Sequence, residues 1–448
     1  MTFKEIGLNK PLSKAVEELG LVEPTTIQHK VFKPIIGGQD VIGIAQTGTG
    51  KTYAYLLPLL NMWKFTTKKV PEILIVVPTR ELVAQVVEEV QKLAVYTDIK
   101  VAGVYGGASM TTQMLSLHEH GGVDLIVGTP GRVLDFLYNG AIKAKAIRKV
   151  VIDEVDEMLD LGFRTQLTNV LDLISLKHQT LMFSATLTED VEEFIGIHFP
   201  NPIKIEAAPT GTPLENIFQK GYQVPNFNTK VNFLEHLLKT DTTMTKVLVF
   251  ADSKKLADEI HARIEPSFAD QMAVIHSNKS QTIRFKTVVD FEKGNSRILI
   301  ATDLFARGLD VSGVSHVINM DVPPNPENYI HRIGRTGRAG MPGISITFVS
   351  ERDKEYLEQV EEMMGRSLEL EEMPAEVQVS KLLIADEQTF VPYKVLGKPA
   401  KAKKSGAFHE KLEKNKQDQV PSTYIPRRKG SMFGLKNKID PKRKRRKS

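Results

Sequence analysis

One eight-residue stretch, Ala45-Gln46-Thr47-Gly48-Thr49-Gly50-Lys51-Thr52, limits what this chain can fold into more than any other. It follows an apolar run, Asp40–Ile44, and opens a segment with helical spacing. Glycines at a strand-to-helix turn let backbone N–H groups approach phosphate oxygens, and the helix N-terminus adds positive potential. This is a P-loop, with Ala45 where the common pattern has its first glycine. Lys51 is placed to reach the β- and γ-phosphates, and the Thr52 hydroxyl to hold Mg²⁺.

From residue 40 onward, short β-rich apolar runs alternate with helical patterns. Strands are expected at Asp40–Ile44, Ile73–Val77, Leu125–Val127, Val150–Asp153 and Thr180–Ser184. Between them lie helices such as Arg80–Tyr96, where Leu82, Val83, Val86, Val87, Val90 and Leu93 recur at helical spacing. Unbroken apolar strands, as opposed to alternating ones, belong to parallel sheets covered on both faces. The pattern pauses at Ala207-Ala208-Pro209-Thr210-Gly211-Thr212-Pro213, where prolines and glycine can continue neither a helix nor a central strand. It resumes with Lys246–Phe250, Met272–His276, Arg297–Ala301, Val314–Met320 and Gly343–Phe348, and ends in an acidic amphipathic helix near Arg352–Met364. Two α/β domains of similar size are expected, at 1–207 and 217–368, joined by a linker at 208–216 and followed by a short extension at 369–397.

Charge is divided along the chain. Residues 398–448 carry 18 Lys/Arg against 4 Asp/Glu, a net +14, leaving 41 against 50, a net −9, for everything before them. Only seven residues of that tail are Leu, Ile, Val or Phe, too few to build a core against chain entropy, so it reads as disordered. The chain has no cysteine, which excludes disulfides, cysteine-ligated zinc, Fe–S clusters and thiol catalysis. Apolar runs such as Ile73–Val77 and Val247–Ala251 fall far short of the ~20 residues of a membrane span. Met1–Glu5 lacks the apolar core of a signal peptide, so a cytoplasmic protein without a membrane part is expected.

A P-loop needs a second carboxylate for its metal, at the end of another strand. Lys149-Val150-Val151-Ile152-Asp153-Glu154 supplies it, with Asp153 on the metal side and Glu154 suited to orient and deprotonate an attacking water. Asp153-Glu154-Val155-Asp156 is a variant of the Asp-Glu-Ala-Asp signature, and other segments fall into place around it. Glu23-Pro24-Thr25-Thr26-Ile27-Gln28, with Phe3 upstream, looks like a Q motif spanning 1–29. Pro78-Thr79-Arg80-Glu81-Leu82, Gly106-Gly107, Thr129-Pro130-Gly131-Arg132 and Ser184-Ala185-Thr186 follow in the first half. The second half adds Gln281 with Arg284, Ala301-Thr302-Asp303 with Arg307-Gly308-Leu309-Asp310, and His331-Arg332-Ile333-Gly334-Arg335-Thr336-Gly337-Arg338. From Phe3 to about residue 366 the chain resembles a DEAD-box ATP-dependent RNA helicase, in overall tone the bacterial RhlE-like branch. Two positions depart from the family pattern. Val155 replaces the usual alanine, and His276-Ser277-Asn278 carries serine where glycine is commoner.

The resemblance implies two tandem RecA-like domains with parallel sheets, a monomer, ATP and Mg²⁺ as cofactors, and RNA as the partner. RNA would be gripped by its phosphates and 2′-hydroxyls without sequence preference, alone or within ribosomal or mRNA–protein complexes. By the same resemblance, Phe3 stacks on adenine and Gln28 reads its edge. Ala45, Gln46, Thr47, Gly48, Thr49, Gly50, Lys51 and Thr52 cradle the phosphates, while Asp310 contacts the ribose from the second domain. Arg335 and Arg338 look like arginine fingers delivered across the interdomain cleft. Asp156, Ser184, Thr186 and His331 relay between the sites, and Arg80, Gly107, Thr129, Arg132 and Thr302 contact RNA. The expected activity is RNA-stimulated ATP hydrolysis with local duplex separation. A DNA-directed superfamily 2 translocase and a catalytically silent RNA-binding scaffold are the alternatives. Lys401–Lys404, Arg427–Lys429 and Lys442–Lys447, with Phe408, Tyr424 and Phe433 between them, suit an RNA tether. A targeting signal and a solubilising tail are the other readings of that segment.

Overall fold

The computed structural model describes residues 2–46, 48–66, 70–118, 122–174, 177–207, 217–303, 313–337 and 342–388. The expected linker, the tail, Thr47, Arg307, Asp310 and Arg338 lie outside the described residues. The first sheet holds β1 (Val41–Ile44), β2 (Ile73–Val76), β3 (Val101–Val104), β4 (Leu125–Gly128), β5 (Lys149–Asp153), β6 (Gln179–Ser184) and β7 (Ile203–Glu206). The second holds β8 (Ile217–Gln223), β9 (Val247–Phe250), β10 (Met272–Ile275), β11 (Ile298–Ala301), β12 (His316–Asn319), β13 (Gly343–Val349) and β14 (Leu370–Glu372). Every pairing in both is parallel.

The strand orders are β3-β4-β2-β5-β6-β1-β7 and β10-β11-β9-β12-β13-β8-β14. Adding seven to each strand number of the first turns it into the second, so one plan is used twice. The two α/β halves and their parallel sheets are as expected from the alternation of runs.

Why the strands are unbroken apolar runs is visible in the layers. Along β2, Ile73 and Ile75 enter one core with Val127, Val151, Leu181 and Phe183. Leu74 and Val76 enter another on the opposite face, with Ile126, Val150, Ile152 and Met182. Successive side chains point to opposite faces, and on β2 both faces are dry, so apolar residues fill every position of that strand. β3, β7, β8 and β14 stand outside the strands expected from sequence. β3, β7 and β14 are sheet edges, β7 alternates half-buried and exposed positions, and β8 mixes buried, half-buried and exposed ones. A strand covered on one face lacks the continuous apolar signal.

The segment 369–388, read as an extension, is bound to the second sheet and its first helix. β14 pairs with β8. The side-chain amides of Asn226, Asn228 and Asn232 donate to the carbonyls of Ser380, Leu382 and Gln378, each at 2.8 Å. Among the described residues no helix is long and apolar enough to cross a membrane.

Candidate functional site

In a parallel sheet all strands end at one edge, where loops can converge on a ligand. The first sheet uses that edge in two blocks. β1, β5 and β6 lead into the P-loop, Asp153-Glu154 and Ser184–Thr186, whereas β2, β3 and β4 lead into Thr79-Arg80, Gly106-Gly107 and Thr129. Because β5 pairs with β2, the blocks abut.

In the first block, β1 runs into the loop, and the Ala45 N–H continues the ladder by donating to the Ser184 carbonyl at 3.0 Å. Gly48 and Gly50 have φ of 79° and 84°, a left-handed backbone that turns N–H groups inward and that glycine adopts without strain. A Cβ on Gly50 would also overlap the Gln28 amide. Gln28 is buried, its Nε2 donating to the Gly50 carbonyl at 3.1 Å and its Oε1 accepting from the Thr25 N–H at 3.0 Å. The Q-motif glutamine is thus fastened to the P-loop itself. Phe3 is buried too, 5% exposed.

Lys51 opens the helix Lys51–Met62, and its ammonium is buried with no hydrogen-bond partner among the described residues. One Glu154 oxygen is in the same position. Burying such groups unpaired is costly unless a ligand completes them. Together with the glycine-lined turn, they fit a polyphosphate and its cation. Burial pushes Asp153 up, against the pull of Lys51. Glu154 is pushed well above the usual carboxylate range by burial and then by the neighbouring Glu157 charge, with Lys51 pulling the other way. Such an environment makes a better base. Glu154 also has φ 56°, the one described non-glycine residue with positive φ. A left-handed non-glycine residue costs about 1–3 kcal/mol and clusters at functional sites. Val155 is buried in the adjoining core with Ile152 and Met158, so the departure from alanine is accommodated. Ser277 likewise needs no left-handed backbone.

Asp156 Oδ2 accepts from the N–H groups of Ala185 and Thr186 at 3.0 and 2.9 Å and from the Thr186 hydroxyl at 2.9 Å. Burial alone would raise its pKa, but His331, Lys51 and Thr186 hold it below the ordinary value. His331 arrives from the second sheet's helix Pro326–Ile333, with Nε2 3.9 Å from Asp156 and Nδ1 2.9 Å from Glu157 Oε1. Arg335 follows one turn later, 4% exposed, its Nε donating to the His331 carbonyl at 3.2 Å, and its charge acts on Glu154. Arg332 points elsewhere. It is fully buried and forks onto Asp303 (2.5 and 2.8 Å) and Asp321 (3.1 Å), which makes it a strut of the second sheet.

In the second block, the Arg80 guanidinium lies against Gly107, where any Cβ would overlap it. It donates to Gln281 Oε1 at 2.9 Å, and Gln281 Nε2 reaches Glu81 at 3.2 Å, so the Gln281/Arg284 element also bridges to the first sheet. Thr129 caps the helix Pro130–Tyr138 without using its side chain for the cap. Arg132, like Arg80, is half-buried. Its guanidinium donates to Gln113 at 2.7 Å and to the Ala108 carbonyl at 3.1 Å, holding the Gly106-Gly107 loop in place. Thr302, half-buried, directly follows β11.

Glu157, Gln113 and Tyr55 are site residues that sequence reading did not single out. Glu157 looks like one more acid in an acidic run, and Gln113 sits on a polar helix. Tyr55 lies among leucines, where an aromatic ring reads as core. For Tyr55 and Glu157 the only signal is helical spacing, one turn beyond Thr52 and one turn beyond the cap residue Glu154.

Comparisons with known proteins agree with this geometry. The DEAD/DEAH box helicase family model matches residues 25–194 and the helicase conserved C-terminal domain matches 229–340. The DEAD-box ATP-dependent RNA helicase RhpA of Helicobacter pylori is 38% identical over 384 residues, covering 85% of this chain and 77% of that protein. The DEAD-box ATP-dependent RNA helicase CshA of Geobacillus kaustophilus is 38% identical over 371 residues, 82% and 78% of the two. Among solved structures, S. cerevisiae Dbp5 bound to RNA and ADP BeF3 superposes with a TM-score of 0.76 at 28% identity, over 84% of this chain and 96% of that one. Two tandem RecA-like halves are therefore the fold, as expected.

Proposed function

The chain belongs to the DEAD-box ATP-dependent RNA helicases, and on that premise we propose how its residues divide the work of an RNA-stimulated ATPase. The observation that carries the reading is the meeting of Glu154 and Glu157 from the first sheet with His331 and Arg335 from the second, at one buried point. Hydrolysis then requires both halves.

ATP binds with its phosphates on the P-loop N–H groups and Lys51. Phe3 and Gln28 take the adenine side and Asp310 the ribose. Thr52 and Asp153 would hold Mg²⁺, which would supply positive charge to offset that of the phosphates. Glu154 orients a water and removes its proton as the water oxygen attacks the γ-phosphorus and ADP leaves. Arg335 and Arg338 stabilise charge on the transferring phosphoryl group. Asp156, Thr186, His331 and Glu157 register whether the halves are engaged. Arg80, Gly107, Thr129, Arg132 and Thr302 contact the RNA backbone. A strand bent across both halves cannot stay paired, which gives local melting of short duplexes or remodelling of RNA–protein complexes. The protein works as a cytoplasmic monomer.

The test compares ATPase rate with no nucleic acid, with RNA and with DNA, alongside unwinding of blunt and overhang RNA duplexes. RNA should stimulate turnover and DNA should not, and short duplexes should separate with ATP. Stimulation by DNA would favour the translocase, and RNA binding without turnover the silent scaffold.

The tail is assigned an RNA-tether role. Removing residues 398–448 should weaken RNA binding and flatten its salt dependence by about 0.7 log units per lost phosphate contact. ATP turnover per bound RNA should survive. Unchanged affinity and salt slope would leave the tail a solubilising segment.

A further inference from the structure

Tyr55 lies one turn into the P-loop helix and is fully buried. Its hydroxyl donates to Asp153 Oδ2 at 2.9 Å. Thr52 stands three residues earlier, on the same face of that helix. The other Asp153 oxygen accepts the Glu154 N–H at 3.0 Å.

A carboxylate fastened at both oxygens cannot rotate to a second orientation. A buried tyrosine hydroxyl could be satisfied by any carbonyl, yet this one, on the P-loop helix one turn after Thr52, fastens the carboxylate that suits a magnesium site on another element.

We propose that Tyr55 is a positioning residue for the metal side of the nucleotide site, fixing the orientation of Asp153 through its hydroxyl. The proposal rests on the assignment of Thr52 and Asp153 to the metal. Outer partners of metal ligands typically change metal affinity by about 10–100-fold when removed.

The experiment titrates Mg²⁺ into the full chain with a fluorescent ATP analogue and follows nucleotide binding, with a parallel titration in EDTA. Y55F keeps the ring, which packs on Phe183 at 5.3 Å between centroids, and removes only the hydroxyl. Its Mg²⁺ midpoint should rise by roughly tenfold, with binding in EDTA unchanged. Y53F is the control, because the Tyr53 hydroxyl bonds Glu89 and its titration should overlie the wild type. A Y55F titration that overlies the wild type overturns the proposal, as does an equal loss of binding in EDTA, which would mean a collapsed loop. If wild-type binding itself ignores Mg²⁺, the metal assignment of Thr52 and Asp153 fails together with it. That failure is distinct from a Mg²⁺-dependent wild type with an unaltered Y55F.

Discussion

Arg335→Ala is expected to lower RNA-stimulated ATP turnover by roughly 10³–10⁵-fold, the range for a lost arginine finger. The side chain is buried beside Glu154, and its Nε is tied to the helix carrying His331. Alanine removes a cation from a pocket that holds Glu154 and Glu157, so the two halves should also engage less tightly. Single-turnover hydrolysis at saturating ATP and RNA separates these effects. A large fall there places Arg335 at the reacting phosphoryl group. A normal single-turnover rate with weaker RNA binding would confine it to the interface. Arg335→Lys restores charge without the planar fork and should recover only part of the rate.

Glu154→Gln should reduce turnover by about 10²–10⁴-fold, the usual contribution of a general base. Glutamine preserves shape and much of the hydrogen bonding, so ATP and RNA should still bind together and the complex should become long-lived. Hydrolysis at the wild-type rate would remove Glu154 from the mechanism. The left-handed backbone at this position should persist in the variant, because the turn from β5 into the next helix imposes it.

Much of this was readable before any coordinates. The P-loop, the strand ending in Asp153-Glu154 and the His331–Arg335 segment have local signatures, and the inner strands declare themselves through apolar runs. The half-covered strands β7 and β8 did not, because burial on one face leaves a mixed pattern. Glu157, Gln113 and Tyr55 were hidden for a different reason. Each acts through a partner far away in sequence, His331, Arg132 and Asp153 respectively, and no local spacing encodes which buried polar group will be met.

The seam between β5 and β2 sets how the proposed ATP and RNA ends can communicate. Val76 stands opposite Ile152 in register, so the chain leaves the sheet toward Arg80 and toward Glu154 side by side, one strand spacing of about 4.8 Å apart. A hydrogen-bonded lattice with dry faces transmits position and stores little slack. Within the first half, then, there is no message to send, because both ends are printed on one stiff plate. The two plates meet through Glu157–His331 and Arg80–Gln281. Substitutions in the β2/β5 seam should shift both ligands together, whereas substitutions at the plate-to-plate contacts should uncouple one from the other.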